Sequence, residues 1–255
     1  MKTKLFLLLT LMLNCQFLLA KELVIISDLD ETLRIANIEN KAKAGLKLVS
    51  GVKPYQGLVK IFQEIKAKNP DAIFYYLSNS YPFLYKGDKW VAENDLPEGK
   101  VLQRCLKDKS DEFKPRKLKE IAAAHPYATF LMFGDNVEHD PKFYRKFLAE
   151  TQIIDVQVFI RDARLIFTQE ENMTYFQTEA QITDDLNMSE ETSAAVRNLA
   201  FNKLVPKFLL KNLKKRLIKE CKTAAVSCVE SAERRVLEVI DQIRPVPELA
   251  LVGNN

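Results

Sequence analysis

Glycine is scarce, at seven in 255 residues, and nowhere do these glycines build a Gly-rich phosphate loop. A P-loop or dinucleotide-binding fingerprint therefore has nothing to stand on. Histidine is scarcer still, at two, and the four cysteines show no metal-ligand spacing. That argues against zinc. Charge of one sign is not in excess: 38 Lys and Arg against 34 Asp and Glu leave +4. A balance so mild does not point to nucleic acid. After the first 20 residues no apolar run approaches the length of a spanning helix.

What is present begins with "MKTKLFLLLTLMLNCQFLLA", which has Lys2 and Lys4, the apolar run Leu5 to Leu13, and then Ala20. This is the layout of a secretory signal peptide cleaved near Ala20, although Leu18 stands where a small residue is expected. The competing readings are a buried first element and a lipid-bearing Cys15. Asn14 precedes that cysteine where a small residue is usual. The expectation is an exported protein, periplasmic or secreted. Cys105, Cys221 and Cys228 would then meet an oxidising compartment, with at least one left unpaired.

Short apolar runs recur at residues 23–27, 72–78, 128–134 and 156–162, with one more strand expected over 173–179. Nearly continuous runs of this length suit strands covered on both faces. Between them lie helical patterns. "GLVKIFQEIKAKNP" places Leu58, Ile61, Phe62 and Ile65 on one stripe, and "RKLKEIAAAHP" stops before Pro126. "DPKFYRKFLAE" opens with Asp140 as an N-cap and Pro141 at the first helical position. Alternation of this kind predicts an α/β fold with a parallel sheet flanked by helices over residues 21–185. After Asp185 the pattern predicts an all-helical C-terminal extension, residues 186–255.

The first run, "VIISDLDETL", ends in negative charge, and "FGDNVEHD" ends the third run the same way. In an open parallel sheet, ligands bind beyond the carboxyl ends of the strands. Asp28, Asp30, Asp135 and Asp140 would converge there if those ends are neighbours. Such a cluster needs a cation or shifted pKa values. All-oxygen ligands favour magnesium. The second run ends in Ser78, Asn79 and Ser80, which offer hydroxyl and amide donors, and Lys114 precedes the helix leading to the third run. A hydroxyl, an ammonium and a metal beside a nucleophilic carboxylate compose a phosphoryl-transfer site. The plainer reading of each aspartate is a turn or capping residue. Lys117 competes with Lys114, His139 reads as solvent-facing, and His125 reads as a helix-end residue.

At these residues the sequence resembles the haloacid dehalogenase (HAD) superfamily of phosphatases. "DLDET", Ser78, Lys114 and "GDNVEHD" follow the order of that superfamily's four motifs. More narrowly, "ISDLDETL", "GVKPYQGL", "YLSNS", "LPEGKVLQR", "FKPRKLKEI", "FGDNVEHDP" and "IRD" resemble the catalytic domain of actin-patch-type phosphatidate phosphatases. Glu31 stands where that family more often has Asp, and "SNSYPFLY" lacks its usual proline–tryptophan pair. The resemblance implies that Asp28 attacks phosphorus and that Asp30 acts as acid and then base. It implies magnesium on Asp28, Asp135 and the Asp30 carbonyl, with Asp140 just outside the ligand set. Ser78, Asn79 and Lys114 would face the phosphate, and Thr32 would orient the first loop. The gaps between motifs leave no room for a large cap domain, so the site should be open to a bulky substrate such as a phospholipid. A periplasmic phosphatase of soluble esters such as nucleotides is the alternative. A non-catalytic binding module on the same fold is another.

Residues 206–222 form a basic amphipathic helix, read either as a peripheral membrane contact or as a helix packed on the domain. In one continuous helix Cys221 and Cys228 would lie about 10.5 Å apart, beyond disulfide reach. Ser227 and Glu230 form a capping-box pattern that starts a new helix, so a turn between the cysteines would let them pair. Cys105 is expected buried in a strand.

Overall fold

The computed structural model describes residues 21–35, 52–163 and 170–204. The expected signal segment with Cys15, the basic helix expected over residues 206–222, the further expected helices and the expected Cys221–Cys228 pairing lie outside the described residues.

Strands alternate with helices along the chain. In order these are β1 (Leu23–Asp28), α1 (Gln56–Lys68), β2 (Ile73–Ser78), α2 (Gly87–Glu93), β3 (Lys100–Gln103), α3 (Ser110–Ala124), β4 (Thr129–Asp135), α4 (Asp140–Glu150), β5 (Val156–Arg161) and β6 (Thr174–Phe176). A short 3-10 turn (Glu179–Ile182) leads to α5 (Glu190–Leu204). The six strands form one parallel sheet in the order β3-β2-β1-β4-β5-β6. The fold is α/β, as expected.

Period-two alternation divides the core between the two faces of the sheet. Ile25, Phe74, Leu131, Phe133 and Phe159 pack against α1, α2 and α5. Val24, Ile26, Phe130, Met132 and Ile160 pack against α3 and α4. Helix α1 lays Leu58, Ile61, Phe62 and Ile65 on the first face, where the Phe62 ring meets Phe133 edge-on at 4.9 Å. Each such fully buried side chain contributes about 1.5–3 kcal/mol. Helix α5 joins this core through Val196, and its Ala200 is buried as well. Its start is tied down where Ser189 donates through N–H and Oγ to Glu64, at 2.7 and 2.9 Å.

Three sequence expectations shift. The strand expected around Cys105 lies just before it as β3, which is short and half-exposed. Cys105 follows it as an exposed free thiol rather than a buried strand residue. Helix α3 starts at Ser110, ahead of Pro115, so Lys114 lies inside the helix. The helical pattern read from the sequence begins only at Arg116. However, Asp111 and Glu112 favour an earlier first turn, which Phe113 N–H closes on the Lys109 carbonyl at 3.0 Å.

Candidate active site

β1, β2 and β4 are neighbours, so Asp28, Ser78 and Asp135 all end at the same carboxyl edge of the sheet. Asp140 reaches that edge from the first turn of α4, where Pro141 follows it and His139 takes the N-cap position expected for Asp140. Its side chain is therefore free of capping. Its Oδ2 accepts the Asp135 N–H at 3.3 Å and its Oδ1 accepts from Lys114 at 2.6 Å.

Carboxylate oxygens of Asp28, Asp135 and Asp140 lie within 4.8 Å of one another, all buried. Lys114 Nζ faces them at 2.7 Å from Asp28 and 2.6 Å from Asp140, with Glu138 at 3.6 Å. Asp135 is held by Thr32 Oγ1 at 3.1 Å and by the N–H groups of Val137 and Glu138 at 2.7 and 3.2 Å.

Burial pushes the Asp28 carboxyl well above the usual carboxylate range; Lys114 opposes this, while Asp140, Asp135 and Glu138 reinforce it. Burial and Asp140 push Asp135 up to about 7, against the pull of Lys114. Burial alone would lower the Lys114 ammonium, but Asp140, Asp28 and Glu138 outweigh it and hold it well above its ordinary value. One ammonium thus fails to neutralise the cluster. Three convergent hard oxygen donors with uncompensated charge suit a divalent cation.

Asp30 is buried but belongs to a different constellation. Its Oδ2 accepts from Ser78 at 2.7 Å, Ser80 at 3.0 Å and Tyr85 at 3.2 Å. Its Oδ1 pairs with Arg34. That pairing needs a tight turn, in which Glu31 adopts φ 62° and Arg34 N–H returns to the Leu29 carbonyl at 2.7 Å. The Arg34 guanidinium lies 3.5 Å from the Tyr85 ring centroid and 5.4 Å from that of Trp90.

All the nominated polar residues therefore come to one edge. Asp140 stands inside the carboxylate cluster, where the resemblance puts it outside, and the Asp30 side chain stands apart from that cluster. Asn79 is joined to Glu138 at 3.2 Å. Lys117 points elsewhere, to Glu120 at 2.6 Å. His139 is exposed. His125 caps α3 and lies 2.9 Å from the Tyr75 hydroxyl. Sequence reasoning missed Arg34 and Tyr85, while Ser80 belongs to the Ser78–Asn79–Ser80 strand end it had named as a source of hydroxyl donors. Only Arg34 carried a signal, as a charge directly after the apolar Leu33.

A parallel α/β sheet with buried carboxylates and a buried lysine at its carboxyl edge holds the parts of a phosphoryl-transfer site, and a family match makes the chain a hydrolase of the phosphatase class. More narrowly, residues 23–162, over half of the chain, match the family described as phosphatidate phosphatase APP1, catalytic domain, and the chain belongs to that family. No curated protein matched the sequence.

Proposed function

We propose that this chain is a magnesium-dependent phosphatidate phosphatase that works through an aspartyl-phosphate on Asp28. The observation that carries the reading is the Asp28 carboxylate ending β1 with the Lys114 ammonium 2.7 Å away. The nucleophile is thus buried, oriented and next to a cation that can also meet phosphate oxygens.

In the first half-reaction an Asp28 oxygen bonds to phosphorus as the ester P–O bond breaks. Asp30 gives the leaving alkoxide its proton. In the second, Asp30 takes a proton from water, whose oxygen bonds to phosphorus and releases Asp28 and inorganic phosphate. Lys114 and Ser78 draw off charge from the transferring oxygens. Asp28, Asp135 and Asp140 would hold magnesium, with the Asp30 carbonyl as a further donor, and the ion would offset the charge between these carboxylates and the incoming phosphate.

The test is a substrate panel of phosphatidate, nucleotides, sugar phosphates and phosphopeptides, each with magnesium and with chelator. Phosphatidate should be hydrolysed, and only with magnesium. Activity confined to soluble esters would reassign the substrate, and full activity in chelator would remove the metal from the mechanism.

A further inference from the structure

The segments leaving β2 and β3 stand beside the site. Ser78 pairs with Gln103, so the two segments depart side by side. Arg104 knits them: its N–H donates to the Ser78 carbonyl at 3.1 Å and its Nε to the Asn79 carbonyl at 2.9 Å. Its guanidinium lies 4.4 Å from the Tyr81 ring centroid, and Tyr81 stacks on Phe83 at 5.2 Å. The first segment is pinned at both ends to the site, because Ser80 and Tyr85 each donate to Asp30.

Between those pins the tip is apolar and faces water. Phe83 is 69% exposed, Leu84 40%, and Leu106 on the neighbouring segment 76%. Among the described residues the other large exposed apolar side chains, Tyr127 and Ile154, precede β4 and β5 at the opposite edge of the sheet. Cations accompany the tip: Lys86 and Lys107 are exposed beside it. Asp108 is occupied by Arg116 at 2.8 Å and Glu112 by Lys109 at 2.8 Å, which leaves Asp88 and Asp111 as the nearby opposing charges.

We propose that Phe83, Leu84 and Leu106 form a membrane-docking surface that seats the active-site mouth on an anionic bilayer. The proposal rests on the phosphatidate reading. Acyl chains hold that substrate's phosphate at the interface, whereas Asp28 lies buried at a strand end. The protein must therefore bring this edge to the headgroup plane. Apolar side chains flanked by lysines, fixed to the catalytic loop, fit that plane by hydrophobic insertion and by attraction to anionic lipid.

The experiment uses the full chain in two arms. In the first, Asp28→Asn protein is sedimented with vesicles of phosphatidylcholine plus phosphatidylserine, and with phosphatidylcholine alone. Adding Phe83→Ser, Leu84→Ser and Leu106→Ser should lower partitioning about tenfold or more. Adding Lys86→Gln and Lys107→Gln instead should erase the preference for anionic vesicles. In the second arm, the three serine substitutions in otherwise unaltered protein should leave hydrolysis of monomeric short-chain phosphatidate unchanged and depress hydrolysis of vesicle phosphatidate. Unchanged vesicle binding in the serine variant would overturn the proposal. So would equal losses on both substrates, or a wild-type dimer that the substitutions dissolve, which would make a second copy the occupant. Vesicle binding lost in the variant, with no hydrolysis by any form, would uphold the docking surface and sink the phosphatase reading alone.

Discussion

The Lys114 ammonium lies 2.7 Å from the Asp28 carboxylate, and both side chains are almost fully excluded from solvent. Truncating one partner of such a pair leaves the other charge buried and unmatched, which costs about 3–5 kcal/mol. Lys114→Met should therefore lower the melting temperature by roughly 10 °C. Turnover should fall about a hundredfold or more, because a cation facing the phosphoryl oxygens is lost. Magnesium should recover more of the melting temperature in this variant than in the parent, since the carboxylates have lost their internal cation. Lys117→Ala, at a surface pair with Glu120, should change stability by less than about 0.5 kcal/mol. Equal effects of the two substitutions on turnover would remove Lys114 from the site.

Arg34 pairs with Asp30 four residues before it and stacks on Tyr85. It makes no contact with the Asp28 cluster in this arrangement, so it would act by holding Asp30. Arg34→Gln should slow hydrolysis of alkyl phosphates about tenfold or more, and p-nitrophenyl phosphate less, since that leaving group departs without a proton. Arg34→Lys keeps the charge yet loses the planar fork, so it should rescue only in part. Losses independent of the leaving group would mean that Arg34 serves folding alone.

Magnesium binding should be coupled to pH through Asp135. In the metal-free folded protein, burial and Asp140 push this carboxyl up to about 7, whereas an unfolded chain titrates it near about 3.9. Between those values the folded state keeps a proton that the unfolded state has released. Stability in chelator should therefore fall as pH rises from about 4 to about 7. The cation replaces that proton, so magnesium should raise the melting temperature more at about pH 7.5 than at about pH 5.5. Thermal melts with chelator and with magnesium at both pH values measure this. Asp135→Asn should flatten the dependence; a parent profile that rises with pH in chelator would contradict the assignment.

The parts of the fold that could be read from sequence are those where one physical cause dominates. β1 and β4 are apolar on both faces, so their runs announce themselves, and Asp28 and Asp135 stand at their ends as interruptions. β3 was misplaced onto Cys105 and read as buried, because a short, half-exposed edge strand has no apolar run to mark its bounds. Lys114 was named as a site candidate, but its place inside α3 was not, since the helical pattern begins only at Arg116. The Asp30–Arg34–Tyr85 constellation depends on a left-handed turn at Glu31 and on a segment returning from β2. Those are tertiary facts with no local periodicity.

Gly134 makes the Asp140 position testable from behind. A Cβ there would lie 2.8 Å from the Asp140 Cβ and 2.8 Å from Tyr144 Cε2, closer than real side chains approach. Tyr144 is buried and its hydroxyl is bonded to the Phe133 carbonyl at 2.8 Å, so it yields little, and Asp140 must move. Gly134→Ala should cost about 1–3 kcal/mol as an overpacked core substitution. It should also weaken magnesium binding about tenfold or more, because Asp140 both faces the cation site and steadies Asp135. Gly57→Ala is the control, since its Cβ would press on Glu179, at 2.8 Å, on the other face of the sheet. That variant should lose stability on a similar scale and bind magnesium as the parent does. Calorimetric magnesium titrations beside thermal melts separate the two. If Gly134→Ala lowers the melting temperature while magnesium affinity stays at the parent value, Asp140 does not belong to the cation site.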